Sequence, residues 1–465
     1  MSRDTDLAVI GAGPGGYTAA IRGAQKGLNV VLVERETVGG VCLNHGCIPA
    51  KALIHAAGFQ RDIDHWNALG IETGPVDVDY GAIQDWKDEV IDTLDGQVLE
   101  SLEHYGVEFI TGTARFEDAT TIHVDGEVDR TIDFDNAIIA TGSQPIEIPG
   151  LEYSQDHVIS SREILQVDEV PDEIVVVGGG YIGMEAVTKF SKFGARVKIV
   201  EALDRVLSEF EAEIVDSIQE TSEMYSDDIY TSTLAQGVEY EEDGTPVLVA
   251  EKNGDELRLS GDYIVVAAGR EPNSAYDQLQ LDATDVDLTE KGFIAVDDQC
   301  RTTADNILAV GDAAGPPYLA HVASHEGKVA AAVAAGEDRA VDTEYMPTVM
   351  YTDPEVATVG LSEAEATEQY DNVLVGRVPM TASGRALTMD KTEGYLKVIA
   401  DANEQLLGVR IVGPRASDTI AEATLALEMD ASLNDIANTL HAHPTFPENL
   451  VEAAEAAKNE AIHTH

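Results

Sequence analysis

The sequence predicts an α/β protein with two Rossmann-like domains, and two observations support this fold class. An apolar strand at residues 7–10 leads into a glycine-rich turn at 11–16 and then into a helix that stops at Gly27. The same strand, turn and helix recur 167 residues later, with a strand at 174–177 and a turn at 178–183. Because several markers are displaced by the same interval, we predict two related nucleotide-binding units rather than a chance similarity.

The first unit has the spacing of a dinucleotide site. Its glycines are Gly11, Gly13 and Gly16, and a second strand at residues 30–33 ends at Glu34. In such a turn the first glycine permits the bend, the second lets backbone N–H groups approach a pyrophosphate, and the third lets the helix pack on the strand. A carboxylate after the second strand accepts hydrogen bonds from an adenosine ribose. Taken alone the motif is weak, because a glycine-rich turn without a ligand has the same sequence.

The second unit repeats each of these markers. Gly178, Gly180 and Gly183 form the turn, and a strand at residues 197–200 ends at Glu201. The repetition favours two true dinucleotide sites over two empty turns. A carboxylate at Glu201 repels a 2′-phosphate and accepts a hydrogen bond from a free 2′-hydroxyl. The second site is therefore expected to bind a dinucleotide that lacks a 2′-phosphate.

Three further strands end in glycine turns. Residues 138–143 and 265–273 share a buried strand followed by a glycine, and each is expected to lead out of a nucleotide domain. A strand within residues 303–312 delivers Asp312 directly after Gly311, where backbone can lie close to a ligand. An ordinary strand and turn would give the same pattern.

The composition excludes several classes of function. The 465 residues include 85 acidic and 29 basic side chains, which gives a formal net charge of −56. Nucleic acids and anionic membrane faces bind basic surfaces, so neither is expected as a partner. No apolar run is long enough to span a membrane, and residues 1–10 lack the pattern of a signal peptide. These features predict a soluble, cytoplasmic protein.

The acidic residues are spread along the whole chain rather than gathered in a tail. Only 12 residues are lysine, and aromatic residues make up 6% of the chain. At an ionic strength of ~1 M the Debye length is about 3 Å, so the mutual repulsion of these carboxylates is screened. The composition therefore indicates adaptation to very high salt, although a merely acidic mesophilic protein is the alternative.

Three cysteines, Cys42, Cys47 and Cys300, are too few for a disulfide framework in a cytoplasmic chain. No second cysteine pair or Cys/His quartet completes a zinc site, so no metal is predicted. A distorted first helical turn next to Gly46 would bring Cys42 and Cys47 within disulfide distance, and a helix N-terminus lowers thiol pKa values. A redox pair is predicted, although two buried thiols would also fit the spacing. Cys300 stands apart and is expected to be incidental.

Taken in order, these motifs resemble the flavin disulfide reductases, and among them the dihydrolipoamide dehydrogenases most closely. Besides the two glycine turns, the resemblance includes the redox stretch at 39–51, the segments at 309–312 and 319–324, the start of a final domain at 351–355, and residues 441–448. Few of these motifs are diagnostic alone. The series covers almost the whole chain and is highly specific.

The resemblance implies two cofactors and a third domain. FAD would bind to a domain formed by residues 1–146 and 274–342, and NAD to residues 147–273. An α+β interface domain at residues 343–465 would join two subunits into a homodimer. The residues implied to bind FAD are Gly11, Gly13, Gly16, Glu34, Lys51, Thr141, Gly142, Gly311, Asp312 and Ala320. Those implied to bind NAD are Gly178, Gly180, Tyr181, Gly183, Glu201 and Gly269.

The resemblance also assigns roles to several of these side chains. Glu34 would contact the adenosine ribose of FAD, and Asp312 its ribitol. Tyr181 would cover the nicotinamide pocket until the cofactor enters, although it could simply pack there. Lys51 would pair with Glu185 beside the flavin ring and favour the anionic reduced form, where the alternative is a surface ion pair of little energetic value.

The resemblance assigns catalysis to two groups of residues. His443 would act as the base and Glu448 would orient it, although a His-x-His sequence could also bind a metal. His443 would take a proton from dihydrolipoamide, the substrate thiolate would attack Cys42, and Cys47 would pass electrons to FAD and on to NAD⁺. The histidine and glutamate would come from the opposite subunit. The full set of implied catalytic residues is Cys42, Cys47, Lys51, Glu185, His443 and Glu448.

The implied substrate is dihydrolipoamide, free or on the lipoyl domain of a 2-oxoacid dehydrogenase or glycine cleavage complex. Two departures from the family pattern are Ala50, where serine is usual, and Phe446-Pro447, which is expected to reshape the substrate mouth. An NAD(P)H-dependent reductase of another small disulfide, glutathione-like or of the glutamylcysteine type, would keep the same machinery. A mercuric reductase is disfavoured because its paired C-terminal cysteines are absent here. A structural subunit without redox activity is disfavoured because the implied catalytic residues are all retained.

The charge count generates a prediction about salt. With 85 acids and 29 bases, repulsion is strongest where two acidic subunits meet. We expect dimer content and dithiol oxidation to fall together as KCl is lowered from ~1 M to ~0.1 M, where screening extends over about 10 Å instead of 3 Å. Sedimentation and activity across one KCl series measure both. A dimer that stays fully active for days at ~0.1 M KCl would contradict adaptation to high salt.

Overall fold

The computed structural model describes residues 4–74, 76–126, 129–221, 228–273 and 278–464. The strands are β1 (Thr5–Ile10), β2 (Val30–Glu34), β3 (Glu108–Asp118), β4 (Thr121–Gly126), β5 (Arg130–Ile139), β6 (Ser143–Pro145), β7 (Val158–Ser160), β8 (Glu173–Val177), β9 (Arg196–Val200), β10 (Ile229–Tyr230), β11 (Thr233–Tyr240), β12 (Pro246–Lys252), β13 (Asp255–Ser260), β14 (Tyr263–Val266), β15 (Arg270–Pro272), β16 (Ile307–Ala309), β17 (Thr348–Met350), β18 (Val356–Gly360), β19 (Val373–Pro379), β20 (Tyr395–Asp401) and β21 (Leu406–Val412). The helices are α1 (Pro14–Gln25), α2 (Gly40–His45), α3 (Cys47–Ala68), α4 (Tyr80–His104), α5 (Tyr181–Lys192), α6 (Ala212–Thr221), α7 (Ala320–Ala334), α8 (Glu363–Gln369), α9 (Gly384–Met389), α10 (Ala416–Glu428), α11 (Leu433–Asn438) and α12 (Glu448–Ala457). The mixed α/β fold class is confirmed.

The first glycine turn lies at the edge of a parallel sheet with the strand order β3-β2-β1-β5-β16. Its central strand β1 is apolar because both faces are covered, and Leu7 and Val9 have no exposed surface. Helices α1 and α7 pack together so closely that a Cβ on Gly327 would lie 2.3 Å from the carbonyl oxygen of Gly15. Strands β3 and β5 extend beyond the parallel sheet and pair with β4 in antiparallel fashion.

The second glycine turn lies in an equivalent sheet. Its parallel order is β10-β9-β8-β14-β7, with β8 in the place that β1 occupies in the first sheet. An antiparallel sheet of β11, β12 and β13 is inserted in the chain between β10 and β14. The shared strand order gives the sequence repeat a structural basis, since both units place the glycine turn at the carboxyl end of the central strand.

A short antiparallel ribbon joins the two nucleotide units. Strand β15 pairs with β6, and Glu271 lies opposite Gln144. The amide of Asn273 donates to the carbonyl of Gly142, and its side-chain nitrogen donates to the carbonyl of Thr141 at 2.8 Å. The ribbon therefore fixes the end of the first unit against the end of the second.

The C-terminal region is an antiparallel sheet with the order β17-β18-β21-β20-β19. Helix α12 packs on β19 without space for a side chain, since a Cβ on Gly376 would lie 1.9 Å from the carbonyl oxygen of Ala453. This contact holds α12, whose first residue is Glu448, against the edge strand of the sheet. The domain bounds given above stay predictions, and the one between 273 and 274 adjoins residues 274–277, which lie outside the described residues.

Nothing in the described ranges resembles a membrane-spanning helix in both length and apolar character.

The two glycine turns are crowded in the same way. A Cβ on Gly16 would lie 1.8 Å from the Gly11 carbonyl oxygen, and a Cβ on Gly183 would lie 2.1 Å from that of Gly178. In contrast, a Cβ on Gly180 would meet no atom within 4 Å. The third glycine of each turn is thus required for packing, while the middle glycine of the second turn faces open space.

We predict that Gly183→Ala destabilises the fold by about 1–3 kcal/mol, because the added methyl group overlaps backbone that cannot move away cheaply. Gly180→Ala is the matched control, since its φ of −74° suits alanine. The control is expected to change the free energy of unfolding by less than about 0.5 kcal/mol. Denaturant unfolding in molar KCl measures the free energy of unfolding of both variants. Equal stability of the two would contradict the close contact between Gly183 and the Gly178 carbonyl.

Candidate active site

The two candidate redox cysteines lie on either side of a break between helices. Helix α2 carries Cys42 and ends at His45, Gly46 adopts φ −145° and ψ −104°, and Cys47 is the first residue of α3. We expected one distorted helical turn, but the structure has two helices that meet at Gly46. Both cysteines are free thiols and partly buried. The break puts Cys47 at the N-terminus of a 22-residue helix, where a thiolate is favoured.

The two thiols differ in acidity. The hydrogen bond from Cys42 lowers the pKa of Cys47 to about 7, and the Lys51 ammonium acts in the same direction against burial and the Glu185 carboxylate. The same hydrogen bond, together with burial, raises the pKa of Cys42. Above a pH of about 7 the reduced pair therefore holds its proton on Cys42 and its negative charge on Cys47.

An ion pair supports the redox helix. Lys51 Nζ lies 2.8 Å and 3.0 Å from the two carboxylate oxygens of Glu185, which is on α5. Burial alone would lower the pKa of Lys51, but Glu185 more than offsets this, and Cys47 and Tyr351 add to the rise. The Tyr351 amide donates to the same carboxylate at 3.1 Å, and Lys51 Nζ lies 4.6 Å from the centroid of the Tyr351 ring. The pair is partly buried rather than on the surface.

A cavity of about 650 Å³ opens beside this pair. It lies between the first glycine turn, the redox helix, helix α5 and the segment around Asp312. Of the residues selected from the sequence, those that line it are Gly13, Glu34, Cys42, Cys47, Lys51, Thr141, Gly142, Tyr181, Glu185, Gly311, Asp312 and Ala320. Among the described residues, the lining does not include Gly11, Gly16, Gly178, Gly180, Gly183, Glu201, Gly269, His443 or Glu448.

The residues around the first glycine turn fit FAD. Nothing would contact a Cβ on Gly13 within 4 Å, so a ligand can reach the backbone there. Glu34 is held by the Ala12 amide, which donates to Oε2 at 2.7 Å. Thr141 Oγ1 is buried and makes no hydrogen bond within the part of the chain that the structure describes. An open turn, a fixed carboxylate and a buried unpaired hydroxyl are the features that a polar cofactor would satisfy.

The second turn has the same geometry. Glu201 accepts hydrogen bonds from the Gly179 amide at 2.7 Å and the Leu203 amide at 2.8 Å. Tyr181, the first residue of α5, lines the cavity, and burial raises the pKa of its hydroxyl to about 12. It therefore stays neutral near Cys47 and Glu185. The open Gly180 and the fixed Glu201 suit a second dinucleotide.

Three side chains near Asp312 were missed by sequence reasoning. Ser143 Oγ donates to Asp312 Oδ2, and Arg270 donates from Nε to Ser143 Oγ and from Nη2 to the Ser143 carbonyl, both at 2.7 Å. Glu326 accepts from the Gly311 amide at 2.6 Å. No spacing in the sequence links these residues. Ser143 and Arg270 directly follow Gly142 and Gly269, and that position was the available signal for these two residues.

His443 and Glu448 form a hydrogen-bonded pair. His443 Nδ1 lies 2.8 Å from Glu448 Oε1, and the Thr445 amide donates to Oε2 at 2.6 Å. Burial raises the pKa of Glu448, but the bonds from His443 and Thr445 outweigh it, so the net pKa is lowered. The His443 side chain is 80% exposed. The pair thus faces outward from its own chain.

The neighbouring histidine has a different partner. His441 Nε2 lies 2.6 Å from Glu422 Oε1, and its Nδ1 lies 2.8 Å from the Thr439 carbonyl. Within the described ranges no group of three or more His, Cys, Asp and Glu side chains is arranged to hold a metal. The His-x-His sequence therefore places its two rings on separate carboxylates.

The departure at Phe446-Pro447 affects packing. Phe446 is 7% exposed and belongs to the C-terminal core, and Pro447 immediately precedes α12. Neither residue lines the cavity in the part of the chain that the structure describes. The expectation that they reshape a substrate mouth stays a prediction, because the mouth would be formed with a second copy of the chain.

Comparisons with known proteins agree with this geometry. Residues 5–327 match the pyridine nucleotide-disulphide oxidoreductase family, and residues 346–454 match its dimerisation domain. The chain belongs to this family. It is 45% identical to dihydrolipoyl dehydrogenase 2 of Haloarcula marismortui over 100% of this chain and 99% of that protein. It is 44% identical to dihydrolipoyl dehydrogenase of Geobacillus stearothermophilus over 99% and 97%. The crystal structure of LpdA from Mycobacterium tuberculosis has the same fold, with a TM-score of 0.90 at 24% identity over 97% and 99% of the two chains.

Several predictions are thereby confirmed. The resemblance to the family, the disulfide oxidoreductase class, and FAD and NAD as cofactors agree with the family match and with the dihydrolipoyl dehydrogenase relatives. The dimerisation domain supports a homodimer. The haloarchaeal relative is consistent with adaptation to high salt. The roles of individual site residues stay predictions.

The lowered pKa of Cys47 predicts how its alkylation depends on pH. In the reduced protein, alkylation of Cys47 should be half-maximal near pH 7, since only the thiolate reacts. Lys51→Met removes the nearby cation and should raise the Cys47 pKa, so the thiolate at neutral pH should fall by roughly 10-fold. Mass spectrometry of the Cys47 peptide after timed alkylation from pH 5 to about 10 measures the midpoint. Lys391→Met, on the surface, is the matched control, and an unchanged midpoint in Lys51→Met would contradict the electrostatic argument.

Proposed function

We propose that this protein is a dihydrolipoamide dehydrogenase, which oxidises dihydrolipoamide to lipoamide and reduces NAD⁺ to NADH. The observation that carries the proposal is the pair of Cys42 on α2 and Cys47 at the start of α3, in one cavity with the Lys51–Glu185 ion pair. Relatives named dihydrolipoyl dehydrogenase that align over nearly the full chain support the substrate.

FAD would lie in the cavity, against Gly13, Glu34, Thr141 and Asp312. NAD would bind at the second turn, against Gly180 and Glu201, with Tyr181 between the two sites. FAD, when bound, supplies a two-electron acceptor between the cysteine pair and NAD⁺. The remaining chemistry falls to side chains of the protein.

The exchange begins with a proton transfer. His443 removes a proton from a thiol of dihydrolipoamide, and the Glu448 carboxylate stabilises the imidazolium that forms. The substrate thiolate attacks the Cys42 sulfur of the Cys42–Cys47 disulfide, and Cys47 leaves as a thiolate. Its lowered pKa makes Cys47 the better leaving group. The second substrate thiol then displaces Cys42, which leaves with a proton, and the cyclic disulfide is released.

The base for this exchange would come from the other subunit of a homodimer. His443 is 80% exposed and is not part of the cavity lining in the described residues of its own chain. His443 and Glu448 lie in the region that matches the dimerisation domain, residues 346–454. Each cavity would therefore be completed by the histidine and glutamate of a second copy.

The physiological substrate would be a lipoyl group on a 2-oxoacid dehydrogenase or glycine cleavage complex.

We propose a cytoplasmic location, where a reducing environment keeps other thiols such as Cys300 reduced. Cys300 is buried, and burial raises its pKa, which suits an unreactive thiol.

A substrate panel in molar KCl tests the function. We expect NADH formation with dihydrolipoamide to exceed NADH or NADPH oxidation with glutathione-like or glutamylcysteine-type disulfides, because the relatives that align over nearly the full chain are named dihydrolipoyl dehydrogenase. His443→Gln should lower dithiol oxidation by about 10²–10⁴-fold, the usual contribution of a positioned acid–base group. Cys300→Ser is the control and should keep the rate. Activity with the other disulfides alone would overturn the assignment.

A further inference from the structure

Three basic side chains stand in one row across the C-terminal sheet. Arg377 on β19 lies opposite Lys397 on β20, and Lys397 lies opposite Arg410 on β21. Residues directly opposite one another on neighbouring strands share a face of the sheet, and like charges in that position repel. Lys397 and Arg410 are also buried, with 3% and 5% of each residue exposed. The row therefore requires carboxylates packed against it.

Two of these carboxylates come from the second nucleotide unit. Glu211, which directly precedes α6, accepts a hydrogen bond from Arg410 Nε, and its Oε1 lies 4.0 Å from Lys397 Nζ. Glu213 contacts two cations, with Oε2 2.6 Å from Lys397 Nζ and Oε1 2.9 Å from Arg377 Nη1. We call Glu211 and Glu213 the anchor glutamates, because their charge-assisted bonds fasten the start of α6 to the C-terminal sheet.

A third carboxylate neutralises the row without linking the two regions. Glu363, the first residue of α8, has its Oε2 3.3 Å from Lys397 Nζ. It belongs to the same C-terminal region as the lysine. Loss of its charge would therefore remove a partner of Lys397 and leave α6 attached to the sheet.

The anchor glutamates follow a segment that begins at the second nucleotide site. Glu201 accepts from the Gly179 amide at 2.7 Å, and the Leu207 amide donates to the Gly179 carbonyl at 2.8 Å. Val206 packs on the same glycine, since a Cβ on Gly179 would lie 2.6 Å from Val206 Cγ1. Residues 201–211 therefore support the second glycine turn from behind, through both backbone polar groups of Gly179.

The backbone of this segment is strained where it meets the turn. Leu207 has a φ of 50°, in the left-handed region that leucine disfavours, and is 2% exposed. Its carbonyl accepts from the Phe210 amide at 2.9 Å, and the next residue is Glu211. Strained residues keep such a conformation only where their surroundings hold them, and they are concentrated at ligand sites. The support of Leu207 thus ends at an anchor glutamate.

We propose that Glu211 and Glu213 are positioning residues for NAD. By fastening residues 201–211 to the cations of the C-terminal sheet, they hold Glu201 and the second glycine turn in the geometry that binds the dinucleotide. They act through Glu201 and Gly179 and are not catalytic residues. Without the anchor, the segment has to be ordered when NAD binds, and that ordering weakens the affinity. The proposal rests on the NAD site of the proposed function and extends it.

Equilibrium binding of NAD⁺ tests this. Calorimetric titration of the oxidised, full-length holoenzyme in molar KCl gives the dissociation constant without turnover. Glu211→Gln keeps the shape of the side chain and removes its charge. We expect it to weaken NAD⁺ binding by roughly 10-fold, because misplacing a positioned group by about 1 Å can cost up to about 100-fold. Glu213→Gln should weaken binding in the same direction.

Glu363→Gln is the matched control, since it removes the same charge from the same lysine on the C-terminal side. Its NAD⁺ dissociation constant should stay within about 2-fold of that of the wild type. FAD content and the rate at which dithiothreitol reduces the Cys42–Cys47 disulfide should be equal in all these proteins, because both belong to the first nucleotide unit. A general loss of structure would lower them together with NAD⁺ affinity.

Two results would overturn the proposal. One is an NAD⁺ affinity of Glu211→Gln and Glu213→Gln equal to that of the wild type, whatever their thermal stability. The other is an equal loss of affinity in Glu363→Gln, since the link between the two regions is intact there. If Glu211→Gln does not fold, Glu213→Gln against Glu363→Gln still decides, because both side chains are partly exposed. A wild type that binds no NAD⁺ would instead overturn the proposed function.

Discussion

The Glu185 carboxylate is the point on which the rest of the site depends. It accepts both hydrogen bonds from Lys51 on the redox helix and one from the Tyr351 amide at the start of the C-terminal region. Glu185 itself belongs to the helix that follows the second glycine turn. One side chain therefore ties together the redox helix, the second nucleotide unit and the C-terminal region. Burying an ion pair costs solvation free energy, and here the additional backbone bond and the nearby thiolate help to offset that cost.

The arrangement separates charge within a strongly acidic protein. The surface is rich in carboxylates, whereas the cavity holds the Lys51 ammonium group within electrostatic reach of Cys47. Solvent and salt screen the surface charges, but they screen buried charges much less. A salt-adapted surface can therefore coexist with a cavity that stabilises a thiolate. His443 is exposed and hydrogen-bonded to Glu448. It can act at such a cavity only in a dimer, where a second copy of the chain supplies it.

The sequence was sufficient for features that are local or repeated. The two glycine turns and their terminal glutamates, Glu34 and Glu201, followed from spacing because each is determined by a short stretch of chain. The Lys51–Glu185 pair spans 134 residues and came only from the family resemblance. The break at Gly46 and the contacts of Ser143 and Arg270 depend on which elements pack together. No hydrophobic periodicity or sequence motif encodes such contacts, so they became visible only in three dimensions.

The most direct test of this account asks whether one active site needs two chains. Cys42→Ser and His443→Gln subunits, each inactive as a homodimer, are unfolded together, refolded in molar KCl and purified as heterodimers by two different tags. The account predicts that dithiol oxidation returns to roughly half of the wild-type rate, because one of the two sites then combines an intact cysteine pair with an intact histidine. Heterodimers that remain as inactive as the parent variants would show that each site is built from a single chain.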